Sequence, residues 1–178
     1  MKYLIGFIFL ALTLNTEVVF DFSEDVSLRN WRIVDDVVMG GRSNGSFELT
    51  PEGHGIFSGD ISLENNGGFS SVRYQFRGAR VNESTRVQIR LKGDGKRYQF
   101  RVKHTLRSYY SYERYFETSG DWQTIEIPLK EMYPAFRGNR LNIPNFNHDT
   151  IQEVTFLFGN KKPEPFQLLI DEIVLVSD

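Results

Sequence analysis

What most restricts the fold of this chain is the lack of any sustained helical repeat. No apolar i, i+3, i+4 pattern lasts beyond one or two turns. Short segments alternating between apolar and polar residues recur instead, at 18–22, 31–34, 46–49, 56–63, 69–77, 85–92, 97–104, 110–117, 122–128, 151–158 and 166–176. Turn-forming clusters separate them, among them Asn44-Gly45, Pro51-Glu52-Gly53, Asn66-Gly67-Gly68, Gly93-Asp94-Gly95 and Ser119-Gly120-Asp121. About ten short strands at this spacing predict an all-β sandwich or barrel. The 15 Phe and 8 Tyr agree with that, because aromatic side chains suit a half-buried pleated surface. Pro128, Pro134 and Pro144 bracket one stretch, Leu129–Phe136 and its neighbours, that reads as a long crossover loop with at most one helical turn. No repeat, low-complexity tract or linker divides the chain, so a single domain is expected over 17–178.

Residues 1–16 read differently. Lys2 precedes an uncharged apolar run from Tyr3 to Leu14, which matches the core of a secretory signal and is shorter than the roughly 20 residues a membrane span needs. A cleaved leader implies a periplasmic or extracellular protein of a Gram-negative bacterium; an uncleaved one implies the cytoplasm. The mature chain is expected to have no membrane span. Cysteine is absent, which removes disulfides and thiolate metal sites. A net charge of −2 gives no overall attraction to nucleic acid, and none is expected as a partner.

That near-neutral total conceals polarity along the chain. Between Arg73 and Arg114 there are twelve Lys or Arg and three acids, leaving nine basic and twenty acidic residues elsewhere. Alternation sends Val72, Tyr74 and Phe76 inward in one segment, Val87, Ile89 and Leu91 in the next, and Tyr98, Phe100 and Val102 in the third. Arg73, Gln75, Gln88, Arg90, Gln99, Arg101 and Lys103 then point outward. If the three strands are neighbours, these residues make one basic, amide-dotted face able to bind a ligand or partner. Tyr109, Tyr110, Tyr112 and Tyr115 crowd the following segment, and Tyr110 and Tyr112 are candidates for the same face. Tyr112 shares its parity with Arg114, and Tyr115 with Glu113; alternation leaves open which pair faces outward. Trp31 and Trp122 read as core anchors.

Motifs for catalysis are weak. Gly41-Arg42-Ser43-Asn44-Gly45 fits G-x-S-x-G, yet a strand-like segment follows where a nucleophile elbow needs a helix. His54, His104 and His148 have no metal-ligand spacing, Gly93-Asp94-Gly95 reads as a hairpin turn, and no phosphate-binding loop or dinucleotide fingerprint occurs. Asp21 and Asp171 are a faint suggestion of a calcium site near the joined chain ends. The expectation is a non-enzymatic protein without catalytic residues, metal or cofactor.

Two signatures stand apart. Asp36, Met39, Gly40, Gly41 and Ser43 lie in the run Asp35-Asp36-Val37-Val38-Met39-Gly40-Gly41-Arg42-Ser43, and Gly67-Gly68-Phe69-Ser70-Ser71-Val72-Arg73 follows. With Phe20-Asp21-Phe22, Asn30-Trp31, Asp121-Trp122 and the segment from Phe166 to Ile173, they resemble the NADH:ubiquinone oxidoreductase complex I intermediate-associated protein family. The resemblance implies a jelly-roll β-sandwich of the galactose-binding-like superfamily and an assembly or chaperone-like role with a protein partner. It carries the signature residues, including Gly67, Gly68 and Phe69, as structural or binding candidates and no catalytic role. The alternative is an exported carbohydrate-binding module that takes a glycan on the same face.

Overall fold

The computed structural model describes residues 14–23 and 27–178. The leader reading, through residue 13, lies outside the described residues. Each of the eleven alternating segments forms a strand, and the described residues hold thirteen strands in two antiparallel sheets. The six-stranded sheet contains β1 (Asn15–Asp21), β3 (Asn44–Leu49), β4 (Gly55–Asp60), β6 (Arg86–Gly93), β9 (Trp122–Pro128) and β13 (Pro165–Ser177), in the order β3-β4-β13-β6-β9 with β1 also on β13. The seven-stranded sheet contains β2 (Trp31–Asp35), β5 (Ser70–Arg80), β7 (Arg97–Lys103), β8 (Ser111–Glu117), β10 (Tyr133–Phe136), β11 (Asn139–Arg140) and β12 (Thr150–Phe158). Its order is β11-β10-β8-β7-β12-β5-β2. The result is a two-layer antiparallel sandwich of the jelly-roll kind.

The expected inward residues build the core. Val87, Ile89, Leu91, Phe100, Val154, Phe156, Leu168 and Ile170 are fully buried between the layers. An aromatic cluster closes one side: Trp31 packs against Phe20, Phe22, Phe47 and Tyr74 at centroid distances of 4.6–5.5 Å. Such pairs add about 0.5–1.5 kcal/mol each beyond their buried area.

Three local expectations change. The proline-bracketed stretch holds the single 3-10 turn, Leu129–Glu131, but also the β10–β11 hairpin, which extends the seven-stranded sheet beyond β8. Proline is tolerated there because the strand is short and lies near the sheet margin. Gly93-Asp94-Gly95 is not a hairpin turn, since β6 and β7 belong to different sheets. It is a corner between layers, held by Asp94, whose carboxylate accepts from Lys96 Nζ (2.6 Å), Tyr98 Oη (2.9 Å) and the Gln167 amide (3.1 Å). Trp122 is no core anchor: it lies opposite Lys92 on the outer side of the six-stranded sheet, against His54 and Arg90.

Candidate binding face

The single basic face expected from three adjacent strands is divided in two. β12 separates β5 from β7, and β6 pairs with β13 and β9 in the other sheet. Gln88 and Arg90 therefore point away from Arg73, Gln75, Gln99, Arg101 and Lys103, on the opposite side of the molecule. Alternation fixes whether a residue faces in or out; it carries no information about which layer a strand joins.

On the β6 side Arg86, Gln88 and Arg90 are engaged within the chain. Gln88 Nε2 donates to Glu126 (2.6 Å), Arg86 pairs with Glu126 and Asp178, and Arg90 Nε lies 2.9 Å from Asp171 Oδ2. The other Asp171 oxygen is 2.9 Å from His54 Nδ1. Asp171 is thus engaged by two side chains, while Asp21 accepts from Ser23, and the described residues contain no group of three or more His, Cys, Asp or Glu placed to hold a metal.

The outer side of the seven-stranded sheet is different. Strand register lines its residues into rows that cross the sheet. The central row runs Arg32, Arg73, Thr155, Arg101, Glu113, Tyr133. A second joins Val34, Ser71, Leu157, Gln99 and Tyr115, and a third joins Gln75, Glu153 and Lys103. Long flanking side chains lean over the middle, so Gln99, Glu113, Glu153 and Thr155 are buried although they face outward.

Its hydrogen bonds are unevenly shared. Arg101 Nε donates to Gln99 Oε1 (2.5 Å) and lies 3.2 Å from Glu113 Oε2; Gln75 Nε2 donates to Glu153 (2.8 Å); Lys103 Nζ reaches the Ser108 carbonyl (3.0 Å). Burial pushes the Glu113 carboxyl up in pKa, against the Arg101 charge and hydrogen bonds from Tyr133 and Gln99. Burial, and then Glu113, push the Tyr133 hydroxyl up to about 12. The Arg101 guanidinium is pushed down by burial and by the neighbouring Arg73, while Glu113 opposes both. Arg73 Nε is buried with no acceptor.

The tyrosine question is also decided. Tyr115 and Tyr133 face outward, each with a guanidinium over its ring: Arg97 at 4.5 Å and Arg140 at 4.9 Å. Tyr112 is buried in the core and shares a 2.8 Å hydrogen bond with His148 Nε2, while Tyr110 packs beside it. Neither lies on the face expected for them. Sequence reading overlooked Arg32, Glu153, Thr155 and Tyr133. The alternation Trp31-Arg32-Ile33 contains the signal for Arg32, which must point outward if Trp31 is core.

The signature residues form a polar knot rather than an open loop. Asp36 is fully buried and accepts from Ser43 N (3.0 Å), Ser43 Oγ (2.5 Å), Gly68 N (2.5 Å) and Phe69 N (3.2 Å). Burial pushes its pKa up, but the four donors outweigh it and hold the carboxyl below its ordinary value. A side chain at Gly41 or Gly67 would collide with this carboxylate, since a Cβ would lie 2.2 or 2.5 Å from its oxygens. Gly40, at φ +89°, ends the 3-10 turn Asp36–Met39 in the left-handed region. Held on that turn, Val37, Val38 and Met39 project outward, Val38 being 73% exposed.

Comparison with known proteins bears on the family and the fold. The family model for Complex I intermediate-associated protein 30 (CIA30) matches residues 20–170. The mitochondrial Complex I intermediate-associated protein 30 of Drosophila melanogaster is 25% identical over 150 residues, covering 69% of this chain. This chain spans about half the length of that relative, 49%. Among solved structures, a family 11 carbohydrate-binding module from Clostridium thermocellum, in complex with a β-1,3-1,4-mixed-linked tetrasaccharide, superposes with a TM-score of 0.70 at 15% identity. The superposition covers 91% of this chain and 95% of the module. An agarase matches with a TM-score of 0.62 at 13% identity, over 92% of this chain and 24% of the enzyme.

Proposed function

Because the chain belongs to the Complex I intermediate-associated protein 30 family, we propose that it is a non-enzymatic binding protein that assists assembly of a respiratory protein complex. The outer side of the seven-stranded sheet is its gripping surface, and the exposed Val37–Met39 turn is a second point of contact. The observation that carries this reading is the row of guanidinium groups on that sheet, which the chain's own acids only partly balance. Charge of one sign held on a rigid sheet attracts an oppositely charged surface and orients it. The buried Asp36 knot gives the Val37–Met39 turn a fixed shape, which keeps the ordering cost of an apolar contact low.

The test is affinity purification of the tagged full chain from its native cell. Recovery of complex I subunits or another assembly intermediate is expected, and is expected to weaken for Val38→Asp, a substitution at an exposed site that leaves the melting temperature unchanged. Recovery of no protein partner would refute the reading.

A second reading, recognition of a glycan on the same sheet, is favoured by the whole-chain likeness to a carbohydrate-binding module. It draws less support from the side chains, because Tyr115 and Tyr133, the tyrosines facing outward on that sheet, already have guanidinium groups over their rings. Absence of retention on glucan, galactan and acidic polysaccharide gels removes it. The mature N-terminus separates the two: a start between Leu12 and Val18 implies export and favours the glycan, whereas an intact Met1 favours assembly.

A further inference from the structure

The seven-stranded sheet retains a charge arrangement that its own stability does not need. Arg32 and Arg73 are directly opposite each other on β2 and β5, a placement that destabilises a sheet when the charges are alike. The row continues through Thr155 to Arg101, but these arginines differ in their partners. Arg101 is balanced by Glu113 at 3.2 Å. Among the described residues neither Arg32 nor Arg73 makes an ion pair, and Arg73 Nε is buried without an acceptor. A buried donor left unmade costs folding free energy, more so when charged. The nearby carboxylates are directed elsewhere: Glu153 accepts from Gln75 Nε2 (2.8 Å), and Glu113 pairs with Arg101 (3.2 Å).

We infer that Arg32 and Arg73 form a clamp for a carboxylate presented by an acidic segment of a protein partner. The clamp rests on the assembly reading above and names what the gripping surface takes hold of. Directly opposed residues in an antiparallel pair have Cβ atoms about 4.5–5.5 Å apart, so two guanidinium forks can converge on one carboxylate. Charge balance favours that group over phosphate. Glu153 lies in the adjacent row and Glu113 in the same one, so a dianion meets repulsion that a monoanion largely escapes. Protein is favoured over an acidic polysaccharide because the residues nearest the clamp, Ser71, Thr155 and Leu157, present no aromatic ring on which a sugar can stack.

A fluorescein-labelled oligoglutamate peptide is the probe, and its anisotropy is followed at low and at near-physiological salt with the full chain. Wild type is expected to bind at low salt and to weaken as salt rises. The double variant Arg32→Gln/Arg73→Gln is expected to lose about tenfold or more in affinity while its melting temperature holds or rises, because a repulsive pair has been removed. Arg86→Gln, on the opposite sheet, is expected to bind as wild type does. No binding at low salt, or equal losses for the double variant and Arg86→Gln, overturns the clamp. Tighter binding of oligogalacturonate or of inorganic phosphate than of oligoglutamate overturns the choice of an acidic protein segment. The native purification separates the two levels. A double variant that recovers the assembly intermediate as well as wild type refutes the clamp alone, whereas a wild type that recovers none refutes the assembly reading.

Discussion

Replacing Asp36 by Asn tests whether the signature is structural. The side chain is fully buried and its two oxygens accept from four donors: the Ser43 amide and hydroxyl and the Gly68 and Phe69 amides. Asparagine keeps the shape, removes the charge and turns one oxygen into a donor. If the remaining oxygen faces Gly68 and Phe69, the new NH2 is directed at the Ser43 amide, and two donors oppose each other. A hydrogen bond to a charged group contributes about 1.5–3 kcal/mol, and an unmade buried donor costs about 1–3 kcal/mol. Losing one such bond and weakening three others amounts to roughly 3 kcal/mol. For a chain of 178 residues this lowers the melting temperature by about 6–12 °C. Thermal unfolding followed by circular dichroism at neutral pH measures it. Acid behaviour supplies a second readout. The folded carboxyl has its pKa below the ordinary 3.8, so the unfolded chain binds more protons between the two values. The stabilisation is therefore complete above 3.8 and is lost as pH falls through the folded value; Asp36→Asn must remove that acid limb. A melting temperature within about 2 °C of wild type would refute the structural account, since even a single charged hydrogen bond is worth more than that.

Two further outcomes follow from half-buried and buried groups elsewhere. His104 and His148 are stacked at 3.7 Å and 10°, with Tyr110 and Tyr112 against the rings and Asp149 nearby. Burial pushes both pKa values below 6.5; the charge of His148 adds to this for His104, and Asp149 opposes it for His148. The pair's contribution is complete above 6.5 and is lost as pH falls, so His104→Phe is expected to flatten the decline of melting temperature on mild acidification. An unchanged slope rules this out. Arg101→Ala leaves Glu113 buried without its cation and is expected to cost about 3–5 kcal/mol by urea denaturation, most of it regained in Arg101→Met/Glu113→Leu. A double variant no more stable than Arg101→Ala alone would show that the ion pair is not the cause.

Side-chain alternation gave away the strands and the inward residues, because periodicity of two depends only on the local chain. Val87, Ile89, Leu91, Phe100 and Val102 are all buried as that pattern requires. The candidate face was only half legible. Gln99 and Arg101 do share an outer surface with Arg73 and Gln75, yet β12, more than 45 residues further along, stands between them and supplies Glu153 and Thr155. Gln88 and Arg90 were lost to the other layer for the same reason: sheet membership depends on pairing with β9 and β13, which no local pattern encodes. The signature was visible as residue types, but its purpose required contact between segments 32 and 33 residues apart, where Gly68 and Phe69 meet Asp36.

β13 runs through the middle of the six-stranded sheet, bonded to β4 along 165–170, to β6 along 168–176 and to β1 along 172–177. A nascent chain that has made β1, β3, β4, β6 and β9 still lacks the strand that joins β1 and the β3–β4 and β6–β9 pairs into one sheet. Its apolar inner surface stays uncovered until 165–177 has left the ribosome, a vulnerable interval in which chaperones or aggregation compete with folding. Shortening the chain ahead of Pro165 is accordingly expected to abolish the domain rather than trim it.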